Sequence, residues 1–276
     1  MSAPSILAGP DVSDGDMLLF QQLFKQHIGL HLPVSKKALL QSRLGGRMHE
    51  LGIERLSQYH ALIAADEGAE ERQRAIDLIT TNETYFFREQ SHFDFLDDEL
   101  LPAWAGARSL RVWSAASSTG EEAYTLAMLL DQHRPNGNWS VFASDISTRV
   151  LSFARRALYP MARAQNIPRS YLRRYCLCGT GEYEGHLLVD AALRRKVEFA
   201  QRNLASLDAF DDGMFDLIFL RNVIIYFDFP TKIKVLGDVL ERLRPGGYLV
   251  VGHSESLHGM NLELEMHSPS IYRKPE

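Results

Sequence analysis

"LRVWSAASSTGEEAYTLAM", residues 110 to 128, is the stretch on which the fold turns. It opens with the short apolar run of a strand, passes through small residues to Gly120, and becomes amphipathic with a helical period from Glu121 onward. Strand, tight turn and helix in that order often hold a nucleotide or cofactor. A glycine permits close backbone approach, and a helix start offers free N–H groups. Yet the turn has neither the glycines of GxGxxG nor the lysine of a phosphate-binding loop. Glu121 and Glu122 would repel a phosphate, so a neutral or cationic ligand fits better; the alternative is that both acids merely complement the helix dipole.

Outward from this unit, short apolar runs and helical stretches alternate. "WSVFASDI", "FDLIFLRNV" and "GYLVVGHSE" read as strands; "TRVLSFARRAL" and "PTKIKVLGDVLERL" read as helices. The region opens on a helix-like "SHFDFLDDELLPAW". Such alternation predicts an α/β fold, a mostly parallel sheet covered on both faces, with ligands gathered beyond the carboxyl ends of the strands. Two Gly-rich turns between β-prone runs predict a small antiparallel insertion at about 160–195. Upstream, "DMLLFQQLFKQHIG", "SKKALLQSRLGGRMHELG", "RLSQYHALIAA" and "AEERQRAIDLIT" carry helical periodicity without a competing strand pattern. The expected organisation is a loose tail over 1–12, a helical domain over 13–80 and an α/β domain over 81–276.

The 276 residues suffice for a substantial core, and a formal charge of −5 argues against a protein wrapped by nucleic acid. No run of eighteen apolar residues and no basic apolar leader is found, so a cytoplasmic protein without membrane insertion is expected. Cys176 and Cys178 are too close for an unstrained disulfide and too few for a structural zinc; they read as reduced, incidental thiols, and no metal is expected. Two regions are locally basic: Lys36, Lys37, Arg43 and Arg47 in one predicted helix, and the segment 151–175, which has no Asp or Glu.

Asp145 ends the second strand, just over twenty residues after Glu122, where an acid can accept hydrogen bonds from two ribose hydroxyls. The competing role is a cap for the helix that follows. An acid there, a single turn glycine and no phosphate cradle point to a nucleoside without phosphates. S-adenosylmethionine is the leading candidate and NAD the rival, whose pyrophosphate would want glycines this loop lacks.

Taken in series, "TTNETYFFRE" (80–89), "VWSAASSTGEEAYTLAM" (112–128), "VFASDI" (141–146), "FDLIFLRNVIIYFD" (215–228) and "LRPGGYLVVGHSES" (243–256) resemble the successive motifs of the CheR family, the chemoreceptor glutamate methyltransferases. The resemblance extends over nearly the whole chain, including a last strand "SIYRK". It implies a doubly wound methyltransferase sheet with an N-terminal helical domain and an inserted β subdomain. It also implies methyl transfer from S-adenosylmethionine to receptor glutamates, giving S-adenosylhomocysteine. Carried over by position, it places Asn82, Thr84, Arg88, Glu122, Asp145, Asn203, Leu204, Arg221 and Asn222 on the cofactor, with Arg88 and Tyr226 as the catalytic pair. Glu122 is preferred to Glu121 as the ligand-facing acid. Arg221 has the alternative of a salt bridge to Asp216 or Asp228.

The implied partner is the cytoplasmic helical domain of a chemoreceptor. Lys36, Arg43 and Arg47 would meet it as a basic edge beside an inward stripe of Leu40, Leu44, Met48 and Leu51. In some family members the β subdomain binds the receptor's C-terminal peptide by strand addition, with Arg173 and Arg174 placed here to meet acidic groups. A monomer recruited to membrane receptors is expected. Ala116, Ser117 and Ala123 depart from the Gly-Cys and Pro of many relatives, but all are small. A carboxyl methyltransferase of another signalling pathway and a non-catalytic receptor-binding adaptor are the alternatives.

Overall fold

The computed structural model describes residues 11–106, 109–135, 137–209 and 211–276. The expected loose tail therefore lies outside the described residues, save Asp11 and Val12, and Val12 is buried. The chain divides into two compact units, one ending at Thr81 and one running from Asn82 to Glu276.

The first unit is helical: α1 (Asp14–Ile28), α2 (Lys37–Glu50), α3 (Leu56–Ala64) and α4 (Ala69–Ile79). α1 starts where Ser13 and Asp16 form a reciprocal capping box and stops at Gly29, whose φ of 71° ends the helix in the left-handed region. Leu40, Leu44 and Met48 fall at successive i+4 positions of α2 and are fully buried. Leu51, expected to continue that stripe, lies past the helix end and is 38% exposed. Arg47 of α2 donates to Glu71 at 2.7 and 2.9 Å, and the buried Tyr59 hydroxyl donates to the same carboxylate at 2.9 Å.

The second unit begins with α5 (Ser91–Phe95), a π-helical turn (Leu96–Leu100) and α6 (Leu101–Ala103), so the expected single helix is interrupted. The bulged turn brings Phe93, Phe95, Leu96, Leu100 and Leu101 to buried positions together. Then follow β1 (Leu110–Ala115), α7 (Glu121–His133), β2 (Trp139–Asp145), α8 (Thr148–Arg156), β3 (Leu158–Pro160), α9 (Arg169–Tyr175), β4 (Cys176–Cys178), β5 (His186–Val189), α10 (Ala191–Arg194) and β6 (Val197–Gln201). The chain ends with β7 (Phe215–Leu220), α11 (Phe229–Glu241), β8 (Leu243–Val251), β9 (Glu265–Ser268) and β10 (Ile271–Arg273).

Among the described residues, seven strands form one sheet in the order β6-β2-β1-β7-β8-β10-β9, parallel from β6 to β8 and antiparallel at β10 and β9. Alternation in β1 sends Val112 to one face, with Val141, Leu217 and Leu126 of α7, and Trp113 to the other, with Phe142, Ile218 and Val235 of α11. Both faces are thus covered, and burying each leucine-sized side chain contributes about 1.5–3 kcal/mol. β3, β5 and β4 form the separate antiparallel sheet, with β5 in the middle.

Pro245, Gly246 and Gly247 look like a simple helix-to-strand turn, but they lie within β8 where its register to β7 shifts. Gly246 (φ 71°) receives the C-terminal segment through its N–H to the Lys274 carbonyl at 2.9 Å. A Cβ on Gly247 would sit 2.8 Å from the Asp216 carbonyl oxygen.

Candidate active site

β1 runs between β2 on one side and β7 on the other: the chain builds outward from β1 through β2 to β6, then crosses back to β7 on the opposite side of β1 and builds outward again to β8. That reversal opens a crevice at the carboxyl ends of the strands. Asp145 ends β2, Asn203 and Leu204 follow β6, Arg221, Asn222 and Tyr226 follow β7, and Glu122 lies in the first turn of α7. The segment from Asn82 to Glu89 reaches the same place: Asn82 accepts from the Ser118 hydroxyl through its carbonyl at 2.9 Å, and the Arg88 carbonyl accepts from Arg221.

Gly120 has φ 93°, as a tight turn requires, but its missing side chain makes room for protein rather than ligand. A Cβ there would stand 2.8 Å from Ala154 Cβ and 2.9 Å from the Tyr159 hydroxyl oxygen. The two acids that follow separate cleanly. Glu121 is fully buried, bonded to the Thr119 hydroxyl at 2.6 Å and paired with Arg163. Glu122 accepts from Ser114 Oγ at 2.7 Å and from Arg221 Nη1 at 3.0 Å, and its side chain keeps 13% exposure. Burial pushes both carboxyl groups above the usual range; Arg163 opposes this at Glu121 and Arg221 at Glu122.

Asp145 is 8% exposed and accepts from the N–H groups of Ser118 and Ser147, both at 2.9 Å. The cap of α8 belongs to Ser147, whose hydroxyl accepts from Val150 N–H, so the capping alternative for Asp145 is set aside. A carboxylate oxygen has more than one lone pair, so it can accept a hydroxyl as well as an N–H.

Arg221 departs most from what its neighbours in sequence suggest. It pairs with neither Asp216 nor Asp228. Asp216 binds Arg244 at 2.8 Å and Asp228 caps α11, while Arg221 spans Glu122 and Glu89, each at 3.0 Å. Its side chain is 1% exposed. Glu89 also accepts from Asn222 Nδ2 and His253 N–H, both at 3.1 Å. Burial acts to raise its pKa, but Asn222 and Arg221 together hold it below the usual carboxylate range.

Glu255 is a further acid that sequence reasoning did not assign. It gathers the N–H groups of Gly252 (2.8 Å), Asn222 (2.6 Å) and Ile225 (3.3 Å), tying the loop after β7 to the loop after β8. Both Glu89 and Glu255 stand in the quoted motifs, and the available signal was an acid embedded beside buried aromatic or glycine positions. Glu89, His92 and His253 present ligand atoms within 4.8 Å of one another. Glu89 already accepts three donors, one of them the Arg221 guanidinium, which makes this a poor setting for a further cation.

Arg88 is half-buried, donates to the Glu83 carbonyl at 2.8 Å and lies 5.9 Å over the Tyr85 ring. Thr84 and Tyr226 are half-buried, Asn203 turns its Oδ1 to Ala205 N–H at 3.1 Å, and Leu204 packs into the core beside β1.

The expected partner surfaces are less uniform. Lys36 is exposed, but Arg47 is committed to Glu71 and Glu50, and Arg43 turns to the Leu78 and Thr80 carbonyls at 3.4 Å, so the basic edge is smaller than its sequence. Arg173 is exposed, and Arg174 contacts Gln132 at 2.9 Å and Asp131 at 3.5 Å. Cys176 and Cys178 are free, and burial pushes the Cys176 thiol up to about 12. No helix of the described residues is long and apolar enough to cross a membrane.

Comparison with known proteins matches residues 82–272 to the CheR methyltransferase, SAM binding domain, and residues 15–80 to the CheR methyltransferase, all-alpha domain. A chemotaxis protein methyltransferase of Escherichia coli is 38% identical over 263 residues, covering 95% of this chain and 91% of its own. Chemotaxis protein methyltransferase 2 of Pseudomonas aeruginosa is 40% identical over 237 residues, covering 85% and 84%. That of Borreliella burgdorferi is 35% identical over 258 residues, covering 90% of both.

Proposed function

The chain belongs to the CheR methyltransferase family, whose cofactor is S-adenosylmethionine, and from that premise we propose that it methylates glutamate side chains on the cytoplasmic helices of chemoreceptors. The observation that carries this reading is the pairing of Glu122 with Asp145 beyond adjacent parallel strands. In this reading one acid meets a cation and the other meets hydroxyls. This donor set fits a nucleoside with a cationic amino-acid tail and disfavours a pyrophosphate.

S-adenosylmethionine supplies, when bound, a methyl group on a cationic sulfur. Glu122 would take the ammonium of its amino-acid end and Asp145 its ribose hydroxyls, while Asn82, Thr84, Arg88, Asn203, Leu204, Arg221 and Asn222 complete the enclosure. A glutamate side chain has an ordinary pKa of about 4.3 and is already ionised at neutral pH, so the chain needs no general base. His92, the most buried imidazole near the site, is held down to about 3 by burial and Arg221 and is too weak a base to serve as one. The work left to the protein is to exclude water and align the incoming carboxylate, for which the Arg88 guanidinium and the Tyr226 hydroxyl and ring are the groups at hand.

Lys36 and the remaining basic side chains would steer an acidic receptor helix, and this contribution should weaken with salt. β4 is an edge strand of the small sheet, and Leu177 in it is 55% exposed, which supports addition of a receptor C-terminal peptide there. The test is to incubate the protein with methyl-labelled S-adenosylmethionine and cytoplasmic receptor fragments, with and without their C-terminal tails. Base-labile label on glutamate is expected. Cofactor binding without label on any fragment would refute the glutamate reading, and label independent of the tail would refute the tethering alone.

A further inference from the structure

The charge count around Arg221 gives Glu89 a task. The guanidinium is buried between two carboxylates, Glu122 at Nη1 and Glu89 at Nη2, and its remaining bond is to the Arg88 carbonyl. One cation against two anions leaves the trio with a net charge of about −1. Without Glu89, Arg221 and Glu122 would form a neutral pair, and the charge on Glu122 would be spent on its own neighbour.

The surrounding groups do not alter the count. His92 Nδ1 stands 3.5 Å from Glu89, but burial keeps that ring neutral. Glu255 is bound by the backbone N–H groups of Gly252, Asn222 and Ile225, and the Arg88 guanidinium donates to the Glu83 backbone carbonyl; neither side chain pairs with a member of the trio, so both charges stay outside it. Glu89 itself is fixed by Asn222 and His253 and has a left-handed φ of 58°, so its carboxylate is held in place.

We propose that Glu89 is a positioning residue that neutralises Arg221 and thereby leaves Glu122 a net negative charge for the α-ammonium of the bound cofactor. The proposal rests on the reading that Glu122 faces the amino-acid end of S-adenosylmethionine. A consequence separates this role from a merely structural one. The affinity lost with Glu89 depends on whether the ligand carries an ammonium.

Two ligands provide the comparison: S-adenosylhomocysteine, which has the ammonium, and 5′-methylthioadenosine, which has the same nucleoside and a thioether but no amino-acid group. Calorimetric titration of both is done with the wild-type chain, Glu89→Gln, Glu89→Asp and Glu122→Gln. Glu89→Gln is expected to weaken S-adenosylhomocysteine about tenfold or more and 5′-methylthioadenosine by less than about twofold, with Glu89→Asp recovering most of the loss. Equal weakening of both ligands, or no weakening of S-adenosylhomocysteine, overturns the proposal. Wild-type protein that fails to bind S-adenosylhomocysteine, or Glu122→Gln that binds it normally, overturns the reading beneath it instead. Should Glu89→Gln not fold, Glu89→Ser, which leaves room for water beside Arg221, is titrated with the same two ligands. A loss of about tenfold confined to S-adenosylhomocysteine is expected, and equal loss of both ligands overturns the proposal.

Discussion

Replacing His92 with phenylalanine should remove a specific part of the acid sensitivity of the Asn82–Glu276 unit. The imidazole is 1% exposed, and among the described residues neither ring nitrogen has a hydrogen-bond partner. Burial, reinforced by Arg221 and His253, lowers its pKa from 6.5 to about 3. The unfolded chain therefore binds a proton that the folded chain refuses. The stability contributed by the neutral ring is complete above 6.5 and is lost as pH falls through the window down to about 3.

From about pH 6.5 to 5.0 the loss runs over about 1.5 pH units at about 1.4 kcal/mol each, or about 2 kcal/mol. Phenylalanine keeps the ring against His253 and has no nitrogens to bury, so His92→Phe should lie within about 1 kcal/mol of wild type at pH 7.5. Urea unfolding followed by tryptophan fluorescence reads the correct unit, because Trp104, Trp113 and Trp139 all belong to it. Other groups titrate in both proteins and cancel in the comparison. Wild type should lose about 2 kcal/mol more than His92→Phe between pH 7.5 and 5.0; losses equal to within about 0.5 kcal/mol would refute the reasoning.

Three further outcomes follow from single contacts. Gly120→Ala forces a side chain into a left-handed turn and against Ala154 and Tyr159, and should lower stability by about 3 kcal/mol in urea unfolding. Arg163→Ala leaves the buried Glu121 carboxylate without its cation, held by the Thr119 hydroxyl and a backbone N–H. A loss of about 2 kcal/mol is expected, short of the full cost of an orphaned charge because the acid can take up a proton, and Arg163→Ala/Glu121→Gln should recover most of it. Because burial raises the Glu122 pKa, this acid protonates above the usual carboxylate range on acidification. Calorimetry at pH 8 and 5.5 should show S-adenosylhomocysteine affinity falling for wild type, and a weaker, flatter response for Glu122→Gln.

What could be read in the sequence depended on how local its cause was. α7 was legible at its start because Gly120 and the amphipathic run from Glu121 are neighbours in the chain, and β1, β2 and β7 announce themselves as apolar runs. β6 places exposed Glu198 between Val197 and Phe199 in the outermost parallel strand, and β9 carries Met266 at 70% exposure, so neither shows a continuous apolar face. At the site, Glu122 and Asp145 were expected from their positions after strands, and Asn222 from the resemblance carried by "FDLIFLRNVIIYFD". The partners of Arg221 were not, because Glu122 and Glu89 lie 99 and 132 positions away while Asp216 and Asp228 are close in sequence. Charge pairing in a crevice follows the order of strands in space, which apolar periodicity does not encode.

Part of the backbone strain lies in the segments that form the site. Phe87, Glu89, Ser118 and Asn222 have φ of 56°, 58°, 48° and 55°, a region that costs non-glycine residues about 1–2 kcal/mol each. Each is held by a specific bond: Phe87 N–H to Thr125, Glu89 to Arg221, Ser118 N–H to Asp145, and Asn222 N–H to Glu255. On the proposed reading Asp145 combines ligand binding with a scaffold role, and deleting it cannot separate the two. Asp145 and Glu255 hold turns that would otherwise relax, and Glu89 holds a cation that would otherwise neutralise Glu122. A neutral, isosteric replacement removes charge while keeping much of the scaffold, whereas alanine removes both, so amide and alanine variants at Asp145 should differ more in stability than in ligand affinity.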